Sequence, residues 1–228
     1  MYDLSALTDE METLSEEKLR TFNQKLIPET GRRILGVRTP ALRRIARRIS
    51  SGNVEDFLDA SLDSIVHEIN LLHAMVLAGA RRRLGDSISR LRAFVPTMDN
   101  WAVCDLLCGD WKASPAEIEA MEPMLNEYFF SEAEYECRFG AVMRMLYDQA
   151  RPDSVLSLYG RFRHEGYYAR MGVAWGLSYL FVAHREETLA FLQSDSLDSF
   201  THNKAIQKCV ESYRVSDADK RLLRALRR

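Results

Sequence analysis

Long apolar runs are missing from the 228-residue sequence, and none approaches the ~20 residues that a bilayer-spanning helix needs. The first residues, Met1-Tyr2-Asp3-Leu4, lack the basic start and apolar stretch of a secretory leader. Glycine (11) and proline (6) are scarce, and no glycine-rich phosphate loop is found. The four cysteines (Cys104, Cys108, Cys137, Cys209) show no CxxC spacing and suit a reducing compartment. Cys104 and Cys108 share a helical face, but no second pair stands at metal-binding spacing, so both are read as core. His67-Glu68 with His73 is not a His-Glu-x-x-His zinc motif, because the second histidine falls two residues late. Sustained period-2 alternation is absent too, so no sheet is expected. These absences lead to the expectation of a soluble, cytoplasmic protein with one domain over 1–228; a monomer without cofactor or metal is expected as well.

What is present favours helices. Hydrophobic residues make up 46% and charged residues 28%, rich in Ala, Leu, Arg, Glu and Met. A first helix is expected from Ser15 to Ile27, with Leu19, Phe22 and Leu26 on one face. Pro28 to Gly31 breaks it. Thr39-Pro40 starts the next, Thr as N-cap and Pro at the first helical position, with Leu42, Ile45, Ala46 and Ile49 as its apolar stripe. Ser51-Gly52-Asn53 ends that helix and begins another. Further starts are read at Asp99 and at Ser114-Pro115, where Glu117 completes a capping box. Breaks follow at Arg151-Pro152-Asp153 and from Ser196 to Thr201, and Ser216 to Arg228 forms a short basic helix. Short helices joined by short turns, without heptads, point to stacked helical pairs.

The net charge of −2 conceals segregation. Residues 31–50 hold seven arginines (Arg32, Arg33, Arg38, Arg43, Arg44, Arg47, Arg48) and no acid; residues 51–80 hold five acids and no Lys or Arg. Residues 93–137 hold ten acids against Lys112 alone. Two readings stay open: a basic strip on one face, or helix faces that pair with each other. Spacing adds a second clue. Trp101, Arg138 and Trp175 are separated by 37 residues each time, near the roughly 40-residue unit of HEAT-type repeats. On residues alone, Trp101 would be a core anchor beside a solvent carboxylate at Asp105. Trp175 would be core among small neighbours, Arg138 would pair with Glu134, and Trp111 would be core.

Four segments change that balance. Leu35-Gly36-Val37-Arg38-Thr39-Pro40-Ala41-Leu42-Arg43-Arg44, Asn100-Trp101-Ala102-Val103-Cys104-Asp105, Cys137-Arg138-Phe139-Gly140-Ala141-Val142, and Tyr167 to Trp175 followed by Lys204-Ala205-Ile206 stand in order along nearly the whole chain. Together they resemble the DNA alkylation repair family of HEAT-like glycosylases. The resemblance implies an all-α, HEAT-like helical-repeat solenoid with a concave DNA-binding face. It assigns catalysis to Asp105, with Trp101 and Trp175 flanking the damaged nucleotide. Arg138 matches an arginine of the DNA-contacting face, and Arg43, Arg44, Arg47 and Lys204 are the further expected DNA contacts. The pattern departs from typical members at Ala102, Asp148 and Ser178.

The implied reaction is monofunctional excision of N3- or N7-alkylated purines from duplex DNA, without enclosing the base in a deep pocket. The chemistry suits the residues. Trp101 and Asp105 lie four apart and share a helical face. Alkylation makes the purine cationic and a good leaving group, so a carboxylate that stabilises the developing oxocarbenium is the main requirement. Two other classes remain open: a non-catalytic binder of DNA structures, and a protein-interaction module whose arginines meet an acidic partner.

Overall fold

A computed structural model describes residues 2–81, 86–147 and 149–228, so Asp148 lies outside the described residues. The chain divides into two compact units, Met1–Lys112 and Ala113–Arg228. The described residues form fourteen α-helices and one 3-10 turn, Val95–Thr97, and no strand. Two isolated bridges, Ser15 with Val37 and Arg33 with Val66, are the sole sheet-like pairings among them.

The first unit holds α1 (Leu4–Thr13), α2 (Glu17–Leu26), α3 (Thr39–Ser50), α4 (Val54–Ser61), α5 (His67–Ala80), α6 (Ser87–Phe94) and α7 (Trp101–Trp111). α3 packs on α5 and α5 on α7, while α4 and α6 pack against α5. Apolar on every side, α5 has twelve of its fourteen residues buried, which makes it the centre of the unit. By contrast α3 is sharply two-faced. Leu42, Ile45, Ala46 and Ile49 are buried, and Arg43, Arg44, Arg47 and Arg48 point to solvent.

The second unit repeats the scheme with α8 (Pro115–Phe129), α9 (Glu134–Tyr147), α10 (Pro152–Gly160), α11 (Tyr167–Ala183), α12 (Arg185–Gln193), α13 (Ser199–Glu211) and α14 (Asp217–Ala225). Here α9, α11 and α13 form one packed row, backed by α8, α10, α12 and α14. In each unit every second helix packs on the next but one, the layering of a helical-repeat solenoid. Close approach needs small residues. A Cβ on Gly140 of α9 would lie 2.7 Å from the Phe129 amide nitrogen of α8, so only glycine fits.

Several local expectations hold to the residue. Asn53 caps α4, and the Ser114/Glu117 capping box is formed, with both reciprocal hydrogen bonds. Trp111, Cys104 and Cys108 are buried. Others shift. Thr39 is the first residue of α3, and the cap position is Arg38, without a side-chain bond. α7 is capped by Asn100, whose side chain accepts from the Val103 amide at 3.1 Å. Asp99 is otherwise engaged, accepting from Thr30 Oγ1 at 2.7 Å and facing Arg32 at 3.4 Å.

The N-terminus differs more. α1 precedes the expected first helix, capped by Asp3 and buried at only two positions, Leu7 and Met11. α2 has no buried residue: its expected apolar face leaves Phe22 56% and Leu26 40% exposed. Leu26, with Leu19, lines an open groove shared with α5 and α7 instead of entering the core, and Phe22 faces solvent.

Candidate functional site

The first unit carries an open groove beside Trp101. It has a volume of about 420 Å³ and runs between α2, the loop before α3, α5 and α7. Leu26, Ile27, Leu71 and Leu106 give it apolar walls, Trp101 forms one side, and His67 lines it from α5. Trp101 is half-buried, and its indole N–H donates to the Leu26 carbonyl at 3.1 Å, which fixes the ring across the groove from α2. Asp105 sits one turn further along α7, also half-buried, on the face that carries Trp101.

The loop that borders the groove is held by one buried side chain. Glu68, 1% exposed, accepts from the Leu35 amide at 2.9 Å, the Gly36 amide at 2.7 Å and the Val37 amide at 3.4 Å. Gly36 has φ +85°, and a Cβ there would fall 2.6 Å from the Arg20 amide nitrogen. This cradle sets Arg38, Thr39 and Pro40 at the groove edge, which explains why Gly-x-x-Thr-Pro stands where it does. Sequence reasoning weighed His67 and Glu68 only as metal ligands. Their partners are a backbone loop and an amide, and such partners leave no trace in side-chain spacing.

The arginine block resolves largely into pairs. Arg33 meets Glu12, Arg38 meets Glu16, Arg48 meets Glu10, and Arg32 meets Asp99. Arg43 makes a two-pronged contact to Asp110, at 2.8 and 3.0 Å. Hydrogen bonds from Arg48 and Arg38 hold the Glu10 and Glu16 carboxyls below their usual range. Among the described residues, Arg44 and Arg47 of the block carry no acid partner, and both are exposed.

In the second unit, Arg138 of α9 is 6% exposed and donates to the Tyr168 carbonyl of α11 at 2.7 Å. Gly172 gives it room: a Cβ there would lie 3.4 Å from Arg138 Cγ. Trp175, half-buried on α11, packs edge-on against Tyr179 with centroids 5.7 Å apart. Glu134 accepts from the Tyr168 amide and so helps to start α11. Lys204 of α13 lies 5.5 Å over the Phe200 ring, with Arg170 5.3 Å from the same ring. The structure thus joins Trp101 with Asp105 in one unit, and Arg138 with the helix that bears Trp175 in the other.

No helix among the described residues is long and apolar enough to cross a membrane, and they contain no cluster of three or more candidate metal ligands. No curated protein matches the chain. A family model described as DNA alkylation repair enzyme matches residues 7–210, which spans the groove, both tryptophans and Arg138. The chain therefore belongs to the DNA alkylation repair enzyme family, with a role in DNA repair and DNA as its substrate.

Proposed function

We propose that the protein is a monofunctional DNA glycosylase that excises N3- or N7-alkylated purines from duplex DNA, working from a HEAT-like repeat scaffold. One observation carries the reading. Trp101 and Asp105 stand on one face of α7, with the indole already fixed by Leu26, in a chain of the alkylation repair family. A fixed aromatic face beside a carboxylate suits a substrate that is cationic and becomes more so at the sugar. As the C1′–N bond breaks, its electron pair neutralises the purine, and positive charge develops on the deoxyribose. The Asp105 carboxylate stabilises that charge and orients the water that attacks C1′. Tryptophan faces contribute roughly 0.5–2 kcal/mol each to holding a cation. Because the leaving group is already charged, no strong general acid is needed, and no deep pocket has to enclose the base.

In this reading Trp175, on α11 of the second unit, is a further aromatic face offered to the DNA. Arg44, Arg47 and Lys204 contact backbone phosphates, and Arg43 does so on leaving Asp110. Phosphate contacts position the duplex without reading its sequence. Arg138, largely buried, is the contact that its surroundings support least.

The test is base release from duplex DNA containing 7-methylguanine, wild type against Asp105→Asn. The variant keeps size and shape and removes the charge, so undamaged DNA should bind as before. Excision should fall by about 10²-fold or more, the scale of losing ~3 kcal/mol of transition-state electrostatics. Equal rates would remove Asp105 from the reaction. A wild type that binds DNA and releases no base would establish a non-catalytic binder instead.

A further inference from the structure

The groove beside Trp101 contains a donor with nothing to donate to. The Asn100 amide is oriented by its cap, since its oxygen accepts from the Val103 amide and its nitrogen donates to Asp99 at 2.8 Å. That same nitrogen faces His67 Nδ1 at 3.4 Å, so Nδ1 is the acceptor and the ring proton sits on Nε2. No described residue accepts from Nε2. His67 is 2% exposed, and burial lowers its pKa, so the ring stays neutral near pH 7. The groove thus combines apolar walls, an indole side, a polar edge of Asn23, Arg38 and Thr39, and the uncharged N–H of His67.

We propose that this groove binds a neutral, planar nitrogen heterocycle, namely the free alkylpurine left by the excision reaction; the inference rests on that reading of function. Two chemical differences separate product from substrate. In DNA the lesion is a cation, which the Trp101 indole can face but the donor side of the groove, His67 with Arg38, does not favour. On release the base becomes neutral, and the ring nitrogen that carried the sugar gains an in-plane lone pair. That lone pair is an acceptor the nucleotide lacks, and His67 Nε2–H is the donor that meets it. About 420 Å³ is ample for a single purine and lies within the usual range of small-ligand sites.

The probe is free 7-methylguanine, titrated calorimetrically into the intact protein, with 7-methylguanosine as the comparison whose ring nitrogen is blocked by ribose. The free base should bind at least tenfold more tightly than the nucleoside. His67→Phe keeps a ring but loses the donor, and should weaken base binding about tenfold, a difference of ~1.4 kcal/mol. If that variant fails to fold, Leu106→Trp, which fills the groove from α7, should abolish binding instead. Equal binding of base and nucleoside, or no effect of either variant, overturns the proposal. Excision is measured separately. Normal excision without base binding sinks this inference alone, whereas base binding without excision overturns the glycosylase reading and the assignment of the ring as its product.

Discussion

The indole N–H of Trp101 donates to the main-chain carbonyl of Leu26, and this bond ties the first turn of α7 to the last turn of α2. Helix α2 buries none of its residues, so few apolar contacts hold it. Its other anchors lie at its start: the Glu16 amide donates to the Gly36 carbonyl at 2.9 Å, and Arg20 Nε to the Leu35 carbonyl at 3.1 Å. At its C-terminal end α2 is held by Trp101 together with its cap residue Ile27, 2% exposed, and Trp101 depends on that end for orientation.

Trp101→Phe keeps one aromatic ring but removes that tether along with the indole's second ring. Because Leu26 is partly exposed, water can replace the lost donor, and global stability should fall by about 0.5–1 kcal/mol. The local effect should be larger. Hydrogen exchange at the α2 amides should speed up markedly while the α5 amides keep their protection. Unchanged exchange in α2 would mean that the bond positions nothing.

Glu68→Gln addresses the loop that borders the groove. Three backbone amides converge on this one carboxylate. A glutamine offers one oxygen and turns an NH₂ toward donors, leaving at least one buried amide unsatisfied. That should destabilise the first unit by roughly 1–3 kcal/mol in urea unfolding. Excision should fall as well, because Arg38, Thr39 and Pro40 lose their fixed place. A change within ~0.5 kcal/mol, the level of an ordinary surface substitution, would show that the cradle is dispensable.

How far the sequence revealed this arrangement depends on how local each cause is. Capping boxes and apolar stripes are local, and Ser114/Glu117 and the α3 stripe stand as read. α1 escaped notice because it buries only Leu7 and Met11, too few for a readable period. Leu19, Phe22 and Leu26 have the right period, yet the pattern does not record that the facing element is a groove rather than a core. The arginine block was legible in sign and not in pairing: Glu10, Glu12, Glu16 and Asp110 come from distant positions. Glu68 and His67 carried no signal for their roles, since each answers to a backbone or amide group that no spacing rule sees.

A pH effect follows from His73. It is 2% exposed, with Nδ1 2.8 Å from Ser61 Oγ and its ring stacked on Phe94 at 4.0 Å. Burial pushes its pKa from 6.5 down to about 3. The unfolded chain therefore takes up a proton below pH 6.5 that the folded protein refuses. The stabilisation is complete above 6.5 and is lost as pH falls from there toward 3. Buried His67 and His202, also lowered, act in the same sense. The lowered carboxyls of Glu10 and Glu16 begin to lose theirs only below their ordinary value of 4.5. Between these limits, denaturation of wild type should show a pH slope that His73→Gln reduces by up to ~1.4 kcal/mol per unit. Parallel slopes for the two proteins would rule out His73 as the source.

The arginines of α3 differ in what each must give up to meet a phosphate. Arg43 holds Asp110 through two hydrogen bonds, which also raise its pKa, and has to break them before it can contact DNA. Arg44 and Arg47 are exposed and give up no acid partner among the described residues. Duplex affinity should fall with salt at a log–log slope of about −0.9 per phosphate neutralised. Arg44→Ala and Arg47→Ala should each make that slope shallower by about 0.9, for damaged and undamaged duplexes alike. Arg43→Ala should change it less, because the wild-type gain is offset by the pair it sacrifices. Fluorescence anisotropy over a salt series measures all three. If Arg43→Ala has the largest effect, Asp110 is a weak competitor for its guanidinium, and if none of the three moves the slope, α3 does not face the duplex.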